Sequence, residues 1–228
     1  LADRPQVIGT VSREGASRTG WQDGRVPTDH SVAHDHDHHN HEQDHARSGP
    51  IADASVRIAR PNDAAAVGLV QAAVWRAAFG QVLAQEVIDR FDESSFARVW
   101  RDSLKTPPSP RHLLLVGCAG EQIVGFAAVG PSTDADATPT SGEVLALGVH
   151  PDARRTGHGS RLLNAAVDTL RGKGFETMSA WLLAHDEDTR AFLAAAGLSP
   201  DGAYRDRVVD ADGTVVREVR LTADLTPS

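Results

Sequence analysis

Apolar and polar positions follow a regular pattern only from Val56 onward. Val56-Arg57-Ile58 reads as a short strand. Pro61-Asn62-Asp63 supplies helix-start chemistry, and Val67, Val70, Val74 and Ala77 then share one helical face that ends at Gly80. Leu83, Val87 and Phe91 suggest a second helix, and Phe96, Val99 and Trp100 read as its continuation up to Pro107-Pro108. His112 to Cys118 is an unbroken apolar run, as expected of a strand covered on both faces. Residues 119–122 make a turn, and Ile123 to Val129 its antiparallel partner. A Pro/Ser/Thr/Asp-rich loop covers 131–142, and a strand runs from Glu143 to Val149. A loop over 151–160 leads to a helix marked by Leu162, Leu163, Ala166, Val167 and Leu170. A strand from Thr177 to Leu183, a helix over 187–196 stopped by Gly197, and a hairpin from about Tyr204 to Leu221 complete the pattern. The order β α α β β β α β α β β predicts a mixed α/β sheet with helices on both faces.

The first part of the 228-residue chain has a different composition. Between Gly9 and Pro50 its only large apolar residues are Val11, Trp21, Val26 and Val32. Such a stretch buries too little surface to offset its ordering entropy. Residues 1–54 are therefore read as a disordered extension, and 55–228 as one domain. The extension concentrates histidine: seven of the eleven lie in the His/Asp-rich segment 30–45. In an extended chain, residues two apart point to one side, so His34, His36, His38 and a folded-back His41 are candidate metal ligands. The competing reading is a solvated tail with incidental metal affinity. No metal site is expected in the domain.

Charge and cysteine content narrow the class. The formal net charge is −8, with nine acids against five bases in residues 1–54 and 22 against 18 in the rest. A nucleic-acid binder needs a basic surface to displace counterions, so that class is set aside. No apolar stretch is long enough to cross a bilayer, and the chain shows no apolar secretory segment. Cys118 is the single cysteine, which excludes an internal disulfide framework and suits a reducing, cytoplasmic setting.

The segment with the most chemistry in it runs from Val149 through His150-Pro151-Asp152-Ala153-Arg154-Arg155-Thr156-Gly157-His158-Gly159 to Ser160. It joins an apolar strand to an amphipathic helix. Gly157 and Gly159 allow unusual backbone conformations and close approach of a ligand to the main chain. Free N–H groups of the helix's first turn point into the same space and carry the positive end of the helix dipole. Arg154, Arg155 and Arg161 add full positive charges. This is an anion cradle, suited to pyrophosphate. A Walker-type phosphate loop and a dinucleotide fingerprint both require spacings that the chain lacks.

At this loop the sequence resembles the GNAT superfamily of acyl-CoA-dependent N-acetyltransferases. Its signature [RQ]-x-x-G-x-[GA] is matched by Arg154-Arg155-Thr156-Gly157-His158-Gly159. The preceding Val149-His150-Pro151, the following Leu162-Leu163, the Ala191-Phe192 to Ala196-Gly197-Leu198 stretch and the Trp75-Arg76-Ala77-Ala78-Phe79 helix are similar to the family as well. The resemblance spans roughly residues 55–200. It implies a mostly antiparallel twisted sheet whose central strands splay into an acyl-CoA cleft between Glu143–Val149 and Thr177–Leu183. It also implies acetyl-CoA as co-substrate, with the diphosphate on the amides of residues 155–160 and the pantetheine arm along Leu147 and Val149. Asp186 stands where relatives often carry a cofactor-contacting Asn; it equally reads as a helix cap. Many relatives are dimers.

The reaction so implied is acetyl transfer to a primary amine, which attacks only when neutral. At pH 7 a lysine-like amine is neutral in about one molecule in 2,500, a deficit of about 4.6 kcal/mol; for an α-amine the deficit is about 1 kcal/mol. Glu143 is the candidate general base, placed as in some family members, and the Val149 N–H is the implied oxyanion donor. Relatives often protonate the leaving thiolate with a tyrosine at a position that is Leu193 here. Tyr204, the only tyrosine, is the remaining candidate acid, with His185, His158 and Cys118 behind it. Trp75 and Phe79, with Glu86 and Asp89, are candidates to line the amine side. The amine, a small molecule or a protein, stays open. Two other readings stand beside the enzyme: a catalytically silent acyl-CoA-binding module, and a metal-binding protein acting through the histidine-rich tail.

Overall fold

A computed structural model describes residues 54–80, 82–209 and 213–226. The apolar runs become seven strands: β1 (Ala54–Ile58), β2 (Leu113–Ala119), β3 (Gln122–Pro131), β4 (Ser141–Val149), β5 (Thr177–Leu183), β6 (Ser199–Val208) and β7 (Val215–Asp224). They form one sheet in the order β1-β2-β3-β4-β5-β7-β6. All neighbours are antiparallel except β4 and β5. Among the described residues five α-helices accompany them: α1 (Ala64–Phe79), α2 (Gln85–Ile88), α3 (Glu93–Lys105), α4 (His158–Gly172) and α5 (Glu187–Ala195).

Strand alternation separates two cores. Val144 and Met178, with Ala180, Leu182 and Leu221, face the helix pair α4 and α5, where Leu162, Leu163, Ala166, Leu170 and Leu193 meet them. On the other face, Leu114, Val116, Phe126 and Ala128 pack against Val67, Val70 and Trp100 of α1 and α3. Those two helices approach closely at Gly68, where an added Cβ would lie 2.6 Å from the backbone of Glu93 and Ala97.

One expectation needs correction. The stretch from Leu83 to Trp100 is not a single helix. Asp92 adopts an extended backbone and its carboxylate accepts the Ser95 N–H, so the chain breaks after α2 and restarts as a capped α3. The final hairpin also starts earlier than expected, at Ser199, and its second strand lies inside the sheet, between β5 and β6.

Candidate active site

β4 and β5 run parallel and pair only from Ser141↔Thr177 to Val144↔Ala180. Beyond that point the strands part, as the family resemblance implies. A bulge helps them do so: Val144 faces Val129 and Ala146 faces Ala128, which leaves Leu145 as an extra residue in β4. Past the bulge the β3–β4 ladder decides where the β4 polar groups point. The His150 N–H donates to the Val124 carbonyl at 2.8 Å. By the alternation of antiparallel pairing, Leu147 and Val149 then turn their N–H and C=O groups away from β3, into the gap left by β5. The Val149 carbonyl is indeed met from that side, by the Arg154 Nε–H at 3.2 Å.

The α4 start closes one end of this gap. Gly157 is its N-cap, in the left-handed region at φ 87°. It offers no capping side chain, whereas α3 and α5 begin on aspartates that accept N–H groups of their own first turns. The first-turn amides of α4 are therefore left for an outside acceptor; the Arg161 N–H, which donates to the Gly157 carbonyl at 3.2 Å, begins the intrahelical ladder. A Cβ at Gly159 would stand 3.5 Å from the Phe192 ring and 3.9 Å from Val149. The missing side chain thus leaves a cradle between the end of β4 and α5. Thr156 braces the loop by donating its hydroxyl to the Ala153 carbonyl at 2.7 Å, and Ser160 is exposed in the first turn.

The charge around the cradle is positive and accessible. Arg154, Arg155 and Arg161 are exposed. Arg161 Nη1 donates to the Thr156 carbonyl at 3.4 Å, and Arg155 pairs with Asp188 at 3.6 Å, both of those side chains facing solvent. His158, buried in the first turn, has its imidazole pKa pushed below the ordinary value by burial and then by the neighbouring Arg161 charge. Together these groups fit the diphosphate of an acyl-CoA.

The remaining candidates divide. Glu143 lies before the splay, opposite Gly130 and Ser179, and is only 4% exposed. It is a buried strand carboxylate. Asp186 caps α5, accepting the Thr189 N–H at 3.0 Å and the Thr189 hydroxyl at 2.7 Å, so both its oxygens are engaged. Tyr204 is 38% exposed on β6, two strands out from β5, with the Arg217 guanidinium 4.5 Å above its ring. The structure does not bring it to Val149. Leu193, the residue at the family's tyrosine position, is 3% exposed in the α4–α5 core. His185 is an exposed loop residue and Cys118 a buried strand residue. Trp75 and Phe79 are half-buried in an aromatic cluster with Phe91 and Phe96; Glu86 and Asp89 are exposed around α2. The histidines at 34, 36, 38 and 41 lie outside the described residues. Asp188 was not legible as a site residue; its only signal is its position in the first turn of α5.

Known proteins share this fold. The family model of the acetyltransferase (GNAT) family matches residues 76–198. A search of curated proteins finds no match. Among solved structures, the PaiA N-acetyltransferase from Thermoplasma acidophilum, in complex with coenzyme A, superposes with a TM-score of 0.60 at 16% identity, over 75% of this chain and 99% of that one. YncA from Salmonella typhimurium, with its cofactor acetyl-CoA, gives 0.56 at 19% identity over 77% and 95%. The ribosomal-protein-alanine N-acetyltransferase from Brucella melitensis gives 0.56 at 19% over 75% and 99%. With the family model spanning more than half its residues, this chain belongs to the GNAT acetyltransferase family.

Proposed function

We propose that the chain is an N-acetyltransferase that moves the acetyl group of acetyl-CoA to a primary amine, on a small molecule or a protein, by direct attack in a ternary complex. The observation that carries this reading is the uncapped start of α4 beside the point where β4 and β5 part. The amides of residues 155–160, with Arg154, Arg155 and Arg161, would hold the diphosphate. The outward polar groups of Leu147 and Val149 would pair with the pantetheine arm as an added strand would. Acetyl-CoA, when bound, supplies a thioester carbonyl activated for acyl transfer. The Val149 N–H would steady the developing oxyanion, and Glu143, six residues back along β4, would take the proton of the attacking amine through intervening water.

Asp186 serves the start of α5 in this reading, and Tyr204 is given no role. Solvent would deliver the proton to the departing sulfur, which suits a thiol of pKa about 8.5. No residue of the domain is assigned to a metal, and neither nucleic acid nor membrane is needed as a partner. We place the catalytic domain at residues 55–228, in a cytoplasmic setting, with a homodimer as an open form.

Calorimetric titration with acetyl-CoA, followed by thiol release over a panel of amines, tests the proposal. Binding together with amine-dependent thiol release supports it. The buried Leu193 favours one rival, a silent acyl-CoA-binding module; binding without thiol release on any amine would establish that rival instead.

A further inference from the structure

The densest network of charges lies away from the cradle, on the face of the sheet opposite α4. Arg220 of β7 is its centre, with a side chain only 13% exposed. Its Nε–H donates to Asp201 at 2.7 Å. Its two Nη groups grip both oxygens of Asp136 at 2.7 and 2.6 Å, and Nη1 also reaches Asp134 at 3.2 Å. The Trp181 indole N–H donates to the same Asp134 carboxylate at 3.1 Å. Arg205, held by Glu218 at 2.6 Å, covers the Trp181 ring at 4.2 Å.

The location matters more than the count of bonds. Arg220 is the register partner of Trp181. Trp181 directly follows Ala180, the last β5 residue that pairs with β4. It therefore sits at the apex of the splay, two residues from Ser179 and on the same face. Ser179 is the partner of Glu143. Asp134 and Asp136 belong to the loop that feeds β4, seven to nine residues ahead of Glu143 in the chain. A cavity of about 470 Å³ lies beside this loop, with Ser132, Asp136, Ser141, Ser179 and Arg220 in its lining.

Three carboxylates around one largely buried guanidinium is a costly way to gain stability, because desolvation and mutual repulsion oppose it. What it does supply is position: a planar fork with several directed donors admits one placement of the loop. We propose that Arg220 is a positioning residue for acetyl transfer. Through Asp134, Asp136 and Trp181 it pins the loop that feeds β4 against β5 at the apex of the splay, and so sets where Glu143 meets the acceptor amine. This rests on the acetyltransferase reading with Glu143 as base.

The test uses the full chain and three variants, Arg220→Gln, Arg220→Lys and Trp181→Phe. The last removes the indole N–H that Asp134 accepts, keeps an aromatic ring under Arg205, and leaves the proposal open to test where Arg220→Gln does not fold. Arg220→Gln should lower kcat for the amine by about tenfold or more and shift the acidic limb of its pH profile, with the Kd for acetyl-CoA within about twofold of the parent. Arg220→Lys keeps the charge but not the fork and should recover little. Trp181→Phe should move kcat in the same direction by about two- to fivefold. Amide hydrogen exchange over 132–146 should quicken in each variant, while α4 stays protected. A purely structural role predicts instead that acetyl-CoA affinity and thermal stability fall together, with the pH profile unmoved; that result overturns the proposal. So does an unchanged kcat. Should the parent chain turn over no amine, the acetyltransferase reading falls and hydrogen exchange alone judges the clasp: equal exchange in parent and variants overturns it.

Discussion

Two loops flank β4, and they treat charge in opposite ways. The loop that enters the strand, over 132–140, has its charges closed off by the sheet: Asp134 and Asp136 are taken up by Arg220 of β7 and Trp181 of β5. The loop that leaves the strand, over 150–157, keeps its groups outward. Its arginines are exposed, its helix start has no capping side chain, and its one bridge to α5 joins two solvent-facing side chains. A closed network holds a shape; an open set of donors receives a ligand. The same strand therefore has a self-sufficient end near Glu143 and an end near Val149 whose donors stay open to an outside acceptor.

The contrast can be broken most forcibly at its open end. Replacing both Gly157 and Gly159 by valine forces a β-branched residue to φ 87° and fills the cradle between Phe192 and Val149. Acetyl-CoA affinity should drop by about a thousandfold, or about 4 kcal/mol, with the circular dichroism spectrum unchanged. Retained affinity in a calorimetric titration would remove the site from this loop. Next in size is Glu143→Gln at the other end, expected to cut kcat by about a hundredfold while acetyl-CoA still binds. Loss of both together would mean that the two ends are not separable.

A smaller effect concerns pH. Burial lowers the imidazole pKa of His158 and of His112, so the folded chain binds fewer protons than the unfolded chain as the medium turns acidic. Their contribution to stability is complete above about pH 6.5 and is lost as pH falls from there toward the folded values. Chemical denaturation between pH 7.5 and 5 should show this decline, and His158→Gln should flatten it. The smallest change is expected from Arg155→Ala. Its partner Asp188 is exposed, so unfolding should not move measurably, and acetyl-CoA affinity should weaken about threefold, less in high salt.

Local chemistry was legible in the sequence wherever it depends on neighbours along the chain. The strand–loop–helix order around Gly157 and the core stripe of α4 follow from spacing alone. The break between α2 and α3 escaped the hydrophobic pattern because a polar residue, Asp92, decides it. Tyr204 looked eligible as the only tyrosine, yet the insertion of β7 between β5 and β6 moves it to the sheet edge, and no local signal reports that order. Asp186 caps α5 through Thr189, three residues on, a contact that spacing allows but does not require. The Arg220 clasp joins residues more than eighty positions apart, and nothing near Arg220 announces it.

The place of β7 has a consequence for how the chain is made and cut. It follows every other described strand in the chain, and it is enclosed on both sides within the sheet. A chain ending before Val215 would leave β6 with no neighbour and expose a full edge of β5, an invitation to pair with other nascent copies. A deletion that reaches into β7 therefore unmakes two strand pairings at once, whereas one confined to the edge strand β6 unmakes a single pairing.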